Sequence, residues 1–419
     1  MVLMKLRRVE AFLLSCRLPE PVVLDYYGGR RTILKRDAML VRVESGDGLV
    51  GWGPGPASER AQRTIETLIA PYLEGRDGDD LEALRAGFFQ LPEAGLAQRK
   101  VYRAVELALY DLVGKSRGLP VSELLGGRRR DEIRLYGSAG MYQSPEGYAR
   151  EAAGIAALGF EAYKMRPALG PDEDLRAVRL MREAVGPEVG LMVDAHTWWR
   201  MGDRSYESGL VEQLAAELGR LGVYWLEEPL PPRDHAAYRN LREKGLVPIA
   251  AGEHEQTDEG FLDLVGSRAV DFVQADVVCQ GGYGLGETLL PAVERAGLRF
   301  AFHSWGTDLE VIAAAHLGVC WPESVVAWLE YPVYSTERFE TMYPFPLARE
   351  ILAEPLEIRR GRLQVPDKPG FGVGIDEEVV RRYPWIPGPW STFSLISPPE
   401  TWSVTSDHSL EWGDSDADA

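Results

Sequence analysis

Six short stretches decide how this chain folds: LMVDAH at 191–196, VYWLEEP at 223–229, VPIAAGEHE at 247–255, DFVQAD at 271–276, LRFAFHS at 298–304 and VVAWLEYP at 325–332. Each is an apolar run of strand length that ends on an acidic residue or a histidine. The leading polar residues are Asp194, Glu227, Glu253, Asp276, His303 and Glu330, at steps of 33, 26, 23, 27 and 27 residues. A strand, a helix and two short loops occupy roughly 20 to 35 residues, so each step holds one βα unit. Right-handed βα units that close on themselves make a parallel barrel whose strand C-termini share one rim. Polar residues distant in sequence then converge on one place.

Upstream, DEIRLYGSAG (131–140) reads as a first barrel strand and FEAYKMR (160–166) as a second. Between them SPEGYAREAAGIAALG reads as a helix capped by Ser144 and stopped at Gly159. Lys164 and Arg166 end the second strand two residues apart, and therefore on one face. Further upstream, AMLVRVES and GLVGWGPG are strands joined by the turn SGDG, and residues 61–127 are helical by apolar spacing. PVVLDYYGGRRT (21–32) reads as a loop, a lid that would carry Tyr26, Tyr27, Arg30 or Arg31 to a substrate.

The expected fold is thus α/β: a modified TIM-type (β/α)8 barrel, (β/α)7β, under an α+β cap. Residues 1–130 form an N-terminal α+β capping domain and 131–335 the barrel with the active site. Residues 336–385 return to the cap, and 386–419 are an acidic, Ser/Pro-rich, loosely ordered tail. Trp390, Trp402 and Trp412 are unusual in such a tail and suggest docking onto a neighbouring surface.

A net charge of −18 over 419 residues argues against nucleic acid or an anionic membrane as partner. An anionic substrate would need local positive charge. Three cysteines, Cys16, Cys279 and Cys320, neither pair off nor sit at metal-binding spacing, which suggests a reducing compartment. With no secretory leader pattern and no membrane-spanning apolar run, a cytoplasmic protein is expected.

Asp194, Glu227 and Glu253 fall on consecutive strand ends. Three carboxylates brought together repel unless a divalent cation neutralises them, and oxygen-only ligation selects Mg2+. Spacing does not decide between Glu227 and Glu228, since strand neighbours face opposite ways. Asp276 and His303 cap the next two strands; an aspartate beside a histidine fixes its tautomer and makes a competent general base. Glu330 orients a substrate oxygen as an acid or pairs with a basic group. Trp198, Trp199 and Arg200 follow His196 and either wall the pocket or pack on the barrel top. His254 and Glu255 either support Glu253 or touch substrate.

These residues give the chain a resemblance to the mandelate racemase branch of the enolase superfamily, covering residues 1 to about 384. AVELALYDLVGKSRGLPVSELLGG resembles that superfamily's capping-domain signature. The resemblance implies Asp194, Glu227 and Glu253 as ligands of one Mg2+ per subunit, His303–Asp276 as the catalytic dyad and Glu330 as the last-strand glutamate. Proton abstraction α to a carboxylate follows, with the metal and Lys164 holding the charge that develops. GEHE with Gln256-Thr257, and PDKPGFGV, are similar to rhamnonate dehydratase and related acid-sugar dehydratases. His196 stands where galactonate and gluconate dehydratases carry a histidine that acts as acid.

There is one departure. The racemase's Lys-x-Lys is here Lys164-Met165-Arg166, and an arginine is a poor base. The expectation is therefore a sugar-acid dehydratase making a 2-keto-3-deoxy acid from an aldonate or aldarate, with loss of the hydroxyl assisted by His303 or His196. Arg166 becomes a clamp for the substrate carboxylate. A racemase or epimerase of a 2-hydroxy acid, with Lys164 as opposite base, is the alternative. A metal-binding barrel without turnover has no need of the dyad. The family further implies a homo-oligomer acting on a small sugar acid.

Overall fold

The computed structural model describes residues 4–335 and 342–410. Eight strands close a parallel barrel: β4 (Glu132–Met141), β5 (Ala162–Arg166), β6 (Gly190–Asp194), β7 (Val223–Glu227), β8 (Ile249–Ala251), β9 (Phe272–Ala275), β10 (Arg299–Phe302) and β11 (Val326–Pro332). Before them come the cap strands β1 (Leu6–Tyr26), β2 (Gly29–Ser45) and β3 (Val50–Gly55). Neighbouring barrel strands pair in sequence order, and β11 pairs back onto β4 through Leu329↔Leu135 to Pro332↔Ser138. A helix fills each gap between consecutive barrel strands, beginning with Pro145–Ala157, which Ser144 caps by accepting from the Gly147 N–H. β5 is buried at every residue, and so are the last four residues of β6. Such strands have helices on one face and the barrel core on the other, so they read as apolar runs rather than alternations. The expected TIM-type barrel under an added antiparallel cap is what the chain forms.

The stretch 21–32 differs from the expected loop. β1 and β2 are one long antiparallel hairpin, running from Leu6↔Ser45 to Tyr26↔Gly29, with Tyr27 and Gly28 at its turn. Glycines at 28 and 29 suggested a mobile segment, but they serve close approach. A Cβ on Gly29 would lie 1.9 Å from the Ser394 carbonyl oxygen.

That contact exposes a second difference. Much of the expected loose tail is ordered. After the short strands β12 (Ile358–Arg359) and β13 (Arg362–Gln364), of which β13 pairs with the start of β4 and β12 with β13, the chain forms β14 (Ser391–Leu395) and β15 (Glu400–Val404). β14 pairs with β2 from Ser391↔Ile33 to Leu395↔Gly29, and β15 closes the edge. The polar composition hid two strands whose outer faces are solvated, while Phe393 and Trp402 stack at 5.1 Å to anchor them. Trp412 lies outside the described residues. The helix Leu96–Arg117 packs under the cap sheet. Among the described residues, no helix is long and apolar enough to cross a membrane.

Candidate active site

The site sits one pleat above an aromatic floor. Ala162, Met192, Trp225, Ala301 and Trp328 pack together inside the barrel. Two residues further along the same strands, and so on the same face, come Lys164, Asp194, Glu227, His303 and Glu330. The floor also supports the layer above: Trp225 Nε1 donates to Glu227 Oε2 at 2.9 Å.

Lys164 Nζ lies 2.7 Å from Glu227 Oε1, 2.9 Å from Glu330 Oε1 and 3.9 Å from Asp194 Oδ2. Burial alone would lower its pKa, but the Glu227 and Glu330 carboxylates outweigh that and hold the ammonium well above its ordinary value. Arg166 reaches Asp194 Oδ2 through Nη2 at 2.8 Å and Nε at 3.0 Å. Against the burial penalty, this guanidinium holds Asp194 below the usual carboxylate range.

His196 Nδ1 stands between Asp194 Oδ1 (2.9 Å) and Glu253 Oε1 (3.0 Å), and burial lowers its pKa. Glu253 reaches this position because Gly252 turns the chain at φ +132°, where a Cβ would lie 2.3 Å from the Gln274 carbonyl oxygen.

Glu227 and Glu228 part company. Glu228 adopts φ +41°, a costly conformation for a side chain of its kind. Its Oε1 accepts from the Gly252 and His254 N–H groups, and its Oε2 lies 2.5 Å from His254 Nδ1. Glu227 faces the barrel interior.

Ligand atoms of Asp194, His196 and Glu253 fall within 4.8 Å of one another, as do those of Glu228, Glu253 and His254. Glu227 belongs to neither group among the described residues; its two oxygens are held by Lys164 and Trp225. The balance of charge nevertheless suits a divalent cation. Four carboxylates with covered side chains (Asp194, Glu227, Glu253, Glu330) face two fixed cations, Lys164 and Arg166. Glu253 Oε2 is buried without a hydrogen-bond partner. Burial, together with the Asp194, Glu253 and Glu330 charges, pushes Glu227 well above its ordinary pKa despite Lys164.

On the far side, His303 Nδ1 lies 3.0 Å from Asp276 Oδ2, while Asp276 Oδ1 accepts from the Val278 and Cys279 N–H groups. With Nδ1 turned to Asp276, Nε2 faces the pocket, 3.5 Å from Glu253 Oε2 and 3.8 Å from Glu330 Oε2. Burial works against the imidazolium, but Glu330, Asp276 and Glu253 prevail and push His303 up to about 10. β5 and β10 are three strands apart round the barrel, so Lys164 and His303 approach from different sides.

The remaining candidates scatter. Tyr26 is buried and stacks on Tyr142 at 5.1 Å, whose hydroxyl bonds Thr197 Oγ1 at 2.9 Å. Arg30 is exposed, pairs with Asp25 at 2.6 Å, and is not brought to the site; strand alternation turns Arg31 inward in its place. Trp198 packs under its loop against Tyr206, and Trp199 stands nearer, its ring 6.0 Å from His254. His254 Nε2 contacts Arg200 Nη2 at 2.7 Å.

One contributor escapes sequence reading. Gln280 holds the Glu253 turn by donating to the carbonyls of Gly252, Glu253 and Glu255 at 2.8 to 2.9 Å. No spacing or motif marks it, nor Arg36, which is buried in the cap.

Two families of known domains match the sequence. Residues 12–126 match the mandelate racemase / muconate lactonizing enzyme N-terminal domain, and residues 147–379 match the enolase C-terminal domain-like family. The chain belongs to the mandelate racemase branch of the enolase superfamily. A D-galactarolactone cycloisomerase of Agrobacterium fabrum is 28% identical over 91% of this chain and 99% of its own. An L-rhamnonate dehydratase of Saccharopolyspora erythraea is 32% identical, over 83% and 85% respectively. Among solved structures, a 3,6-anhydro-D-galactonate cycloisomerase from Zobellia galactanivorans superposes with a TM-score of 0.74 at 27% identity, covering 90% of this chain and 99% of that one. A branch member of such ancestry acts as an enzyme, and its curated relatives carry the names of sugar-acid dehydratases and a cycloisomerase.

Proposed function

We propose that this enzyme is a Mg2+-dependent lyase of sugar acids: it removes the proton α to a carboxylate and expels the oxygen on the β carbon, giving a 2-keto-3-deoxy acid. The observation that carries this reading is the single base. His303, held at Nδ1 by Asp276, turns Nε2 toward the carboxylates across from Lys164, and it acts as the base once the charges that keep it an imidazolium are offset. A two-base racemisation needs a second neutral base on the other side. Lys164 is locked as an ammonium between Glu227 and Glu330, and Arg166 is a guanidinium on Asp194. One-sided abstraction remains.

Asp194, Glu227 and Glu253 would hold Mg2+, which when bound supplies charge stabilisation that acidifies the α C–H bond. Lys164 stands ready for the charge developing on the substrate carboxylate. Asp276 and Glu330 favour the imidazolium that His303 becomes, so the same ring then returns its proton to the departing oxygen. His196 is the other candidate donor, through its Nε2. Lys164, Asp194, Glu227 and Glu330 are buried, while His303 keeps part of its ring exposed for access to a substrate.

A second reading rests on the two cycloisomerases. Expelling a ring oxygen instead of a hydroxyl uses the same base and the same charge stabilisation, and yields a product isomeric with its substrate. Incubating the protein with Mg2+ and a panel of acid sugars and their lactones should release a keto acid. A product one water lighter identifies dehydration, and one of equal mass identifies ring opening. Deuterium exchange at C2 with epimer formation and no keto acid would overturn both.

A further inference from the structure

Among the described residues, two buried arginines of the cap, Arg31 and Arg36, have no carboxylate within ion-pairing distance. All three guanidinium nitrogens of Arg36 are buried without a hydrogen-bond partner, and no other described arginine shares that condition. Its contacts are aromatic faces, Tyr343 at 4.4 Å and Trp390 at 5.0 Å. Arg31 donates to Ser391 Oγ at 3.1 Å, and its Nη1 lies 3.1 Å from Met141 Sδ; Trp390 and Phe393 flank it at 5.1 and 4.7 Å. Every one of these partners is neutral. Asp37, the carboxylate next in sequence, makes its contacts with Lys35 at 3.0 Å and Ser15 at 2.7 Å, and its charge reaches Arg36 only as the last of several influences behind burial.

Both arginines border the barrel mouth. Met141, which Arg31 touches, pairs with Arg166 across the ends of β4 and β5. Tyr343, which Arg36 covers, packs on Trp305 at 4.5 Å, and the Arg166 guanidinium lies 5.3 Å from the Trp305 ring. The three cations therefore line one aromatic wall that descends to Asp194. Burial pushes Arg31 down to about 10, with Arg166 and Arg36 adding to the effect. A desolvated, unpaired guanidinium is expensive, and an anion delivered to it relieves that cost. The planar fork suits a carboxylate or phosphate in two-point contact.

We propose that Arg31 and Arg36 receive a second anionic group of the substrate, so that the enzyme prefers dianionic sugar acids over monoanionic aldonates. This rests on the sugar-acid reading above: one carboxylate is at the reacting end near Lys164, and the second terminus reaches up to the cap. If the arginines were only struts between cap and barrel, removing their charge would affect all substrates alike.

The test compares matched six-carbon aldarates, aldonates and terminally phosphorylated aldonates, by turnover and by calorimetric binding with Mg2+. Wild type should favour a dianion by about 30-fold in kcat/KM and in affinity. Whichever of the aldarate and phosphoaldonate wins names the second anion. Arg36→Met should erase that preference through KM while leaving aldonate constants within about twofold; Arg36→Lys should restore part of it, and Arg31→Met should act in the same direction. Equal wild-type affinity for monoanion and dianion overturns the proposal, as does an equal loss for both in Arg36→Met. Should Arg36→Met fail to fold, the wild-type preference and Arg36→Lys still decide. Absence of keto acid from every substrate would sink the lyase reading, while the binding comparison would still judge the arginines.

Discussion

The two ends of the pocket bury opposite charges in opposite ways. At the barrel end four carboxylates crowd around Lys164 and Arg166, and the excess is negative. At the cap end Arg31 and Arg36 are buried among rings, a thiol ether and a hydroxyl, and the excess is positive. Neither end is a comfortable arrangement for an empty protein, since uncompensated buried charge opposes folding. Together they describe the species that would satisfy both: a divalent cation below and an anionic sugar acid above. An interior built only for stability would have paired the two sets with each other.

The comparison breaks most visibly if the negative excess is removed. Asp194→Asn should abolish Mn2+ binding, read by electron paramagnetic resonance as a stand-in for Mg2+, and with it all measurable turnover; Glu253→Gln should do the same. Retained metal affinity in both variants would show that the carboxylate cluster has another purpose. His303→Asn leaves the carboxylates in place. It should bind Mn2+ normally while losing about 10^2- to 10^4-fold in kcat, the range of a general base. Full activity in that variant would remove His303 from the reaction.

The barrel end was legible in the sequence and the cap end was not, for a physical reason. Barrel strands present their functional residues at their C-termini, so a short apolar run followed by Asp194 or His303 announces itself. Cap residues act across long range: Arg36 owes its burial to Trp390 and Tyr343, some three hundred residues away, and only tertiary pairing reveals it. At 21–32 glycine and tyrosine suggest a loop, whereas β1 on one side and β14 on the other make the start of β2 an interior strand. The separation of Glu227 from Glu228 depended on the backbone at Glu228, which no spacing specifies.

A third buried site sharpens the contrast because function asks nothing of it. His316, on the helix Asp308–Gly318, accepts from the Ser122 N–H at 3.2 Å, and its Nε2 donates to the Phe371 carbonyl at 3.1 Å. Burial lowers it to about 4 from the ordinary 6.5. The ring is therefore neutral, as a structural histidine should be. The stability linked to it is complete above pH 6.5 and is lost as pH falls through 4, about 3 kcal/mol in all. His316→Gln can keep both hydrogen bonds without titrating, so its denaturant midpoint should fall less steeply between pH 6.5 and 4. An unchanged slope would place the acid sensitivity elsewhere, for instance among the charged residues of the pocket.

The smallest effect concerns what holds the cap's cations in place. Trp402 on β15 stacks on Phe393 at an interplanar angle of 5°, and Phe393 lies against Arg31 at 4.7 Å. Trp402→Ala removes a stacked aromatic pair from a sheet edge, which costs about 1 kcal/mol. Its thermal midpoint should drop by a few degrees. Nothing at the barrel end touches this ring, so Mn2+ affinity and the kcat set by His303 should stay as they are. If the two ends work separately, any loss will be confined to KM for an anion that reaches Arg31. A matching loss in metal affinity would mean that cap and barrel are coupled, and that the pocket behaves as one charged unit rather than two.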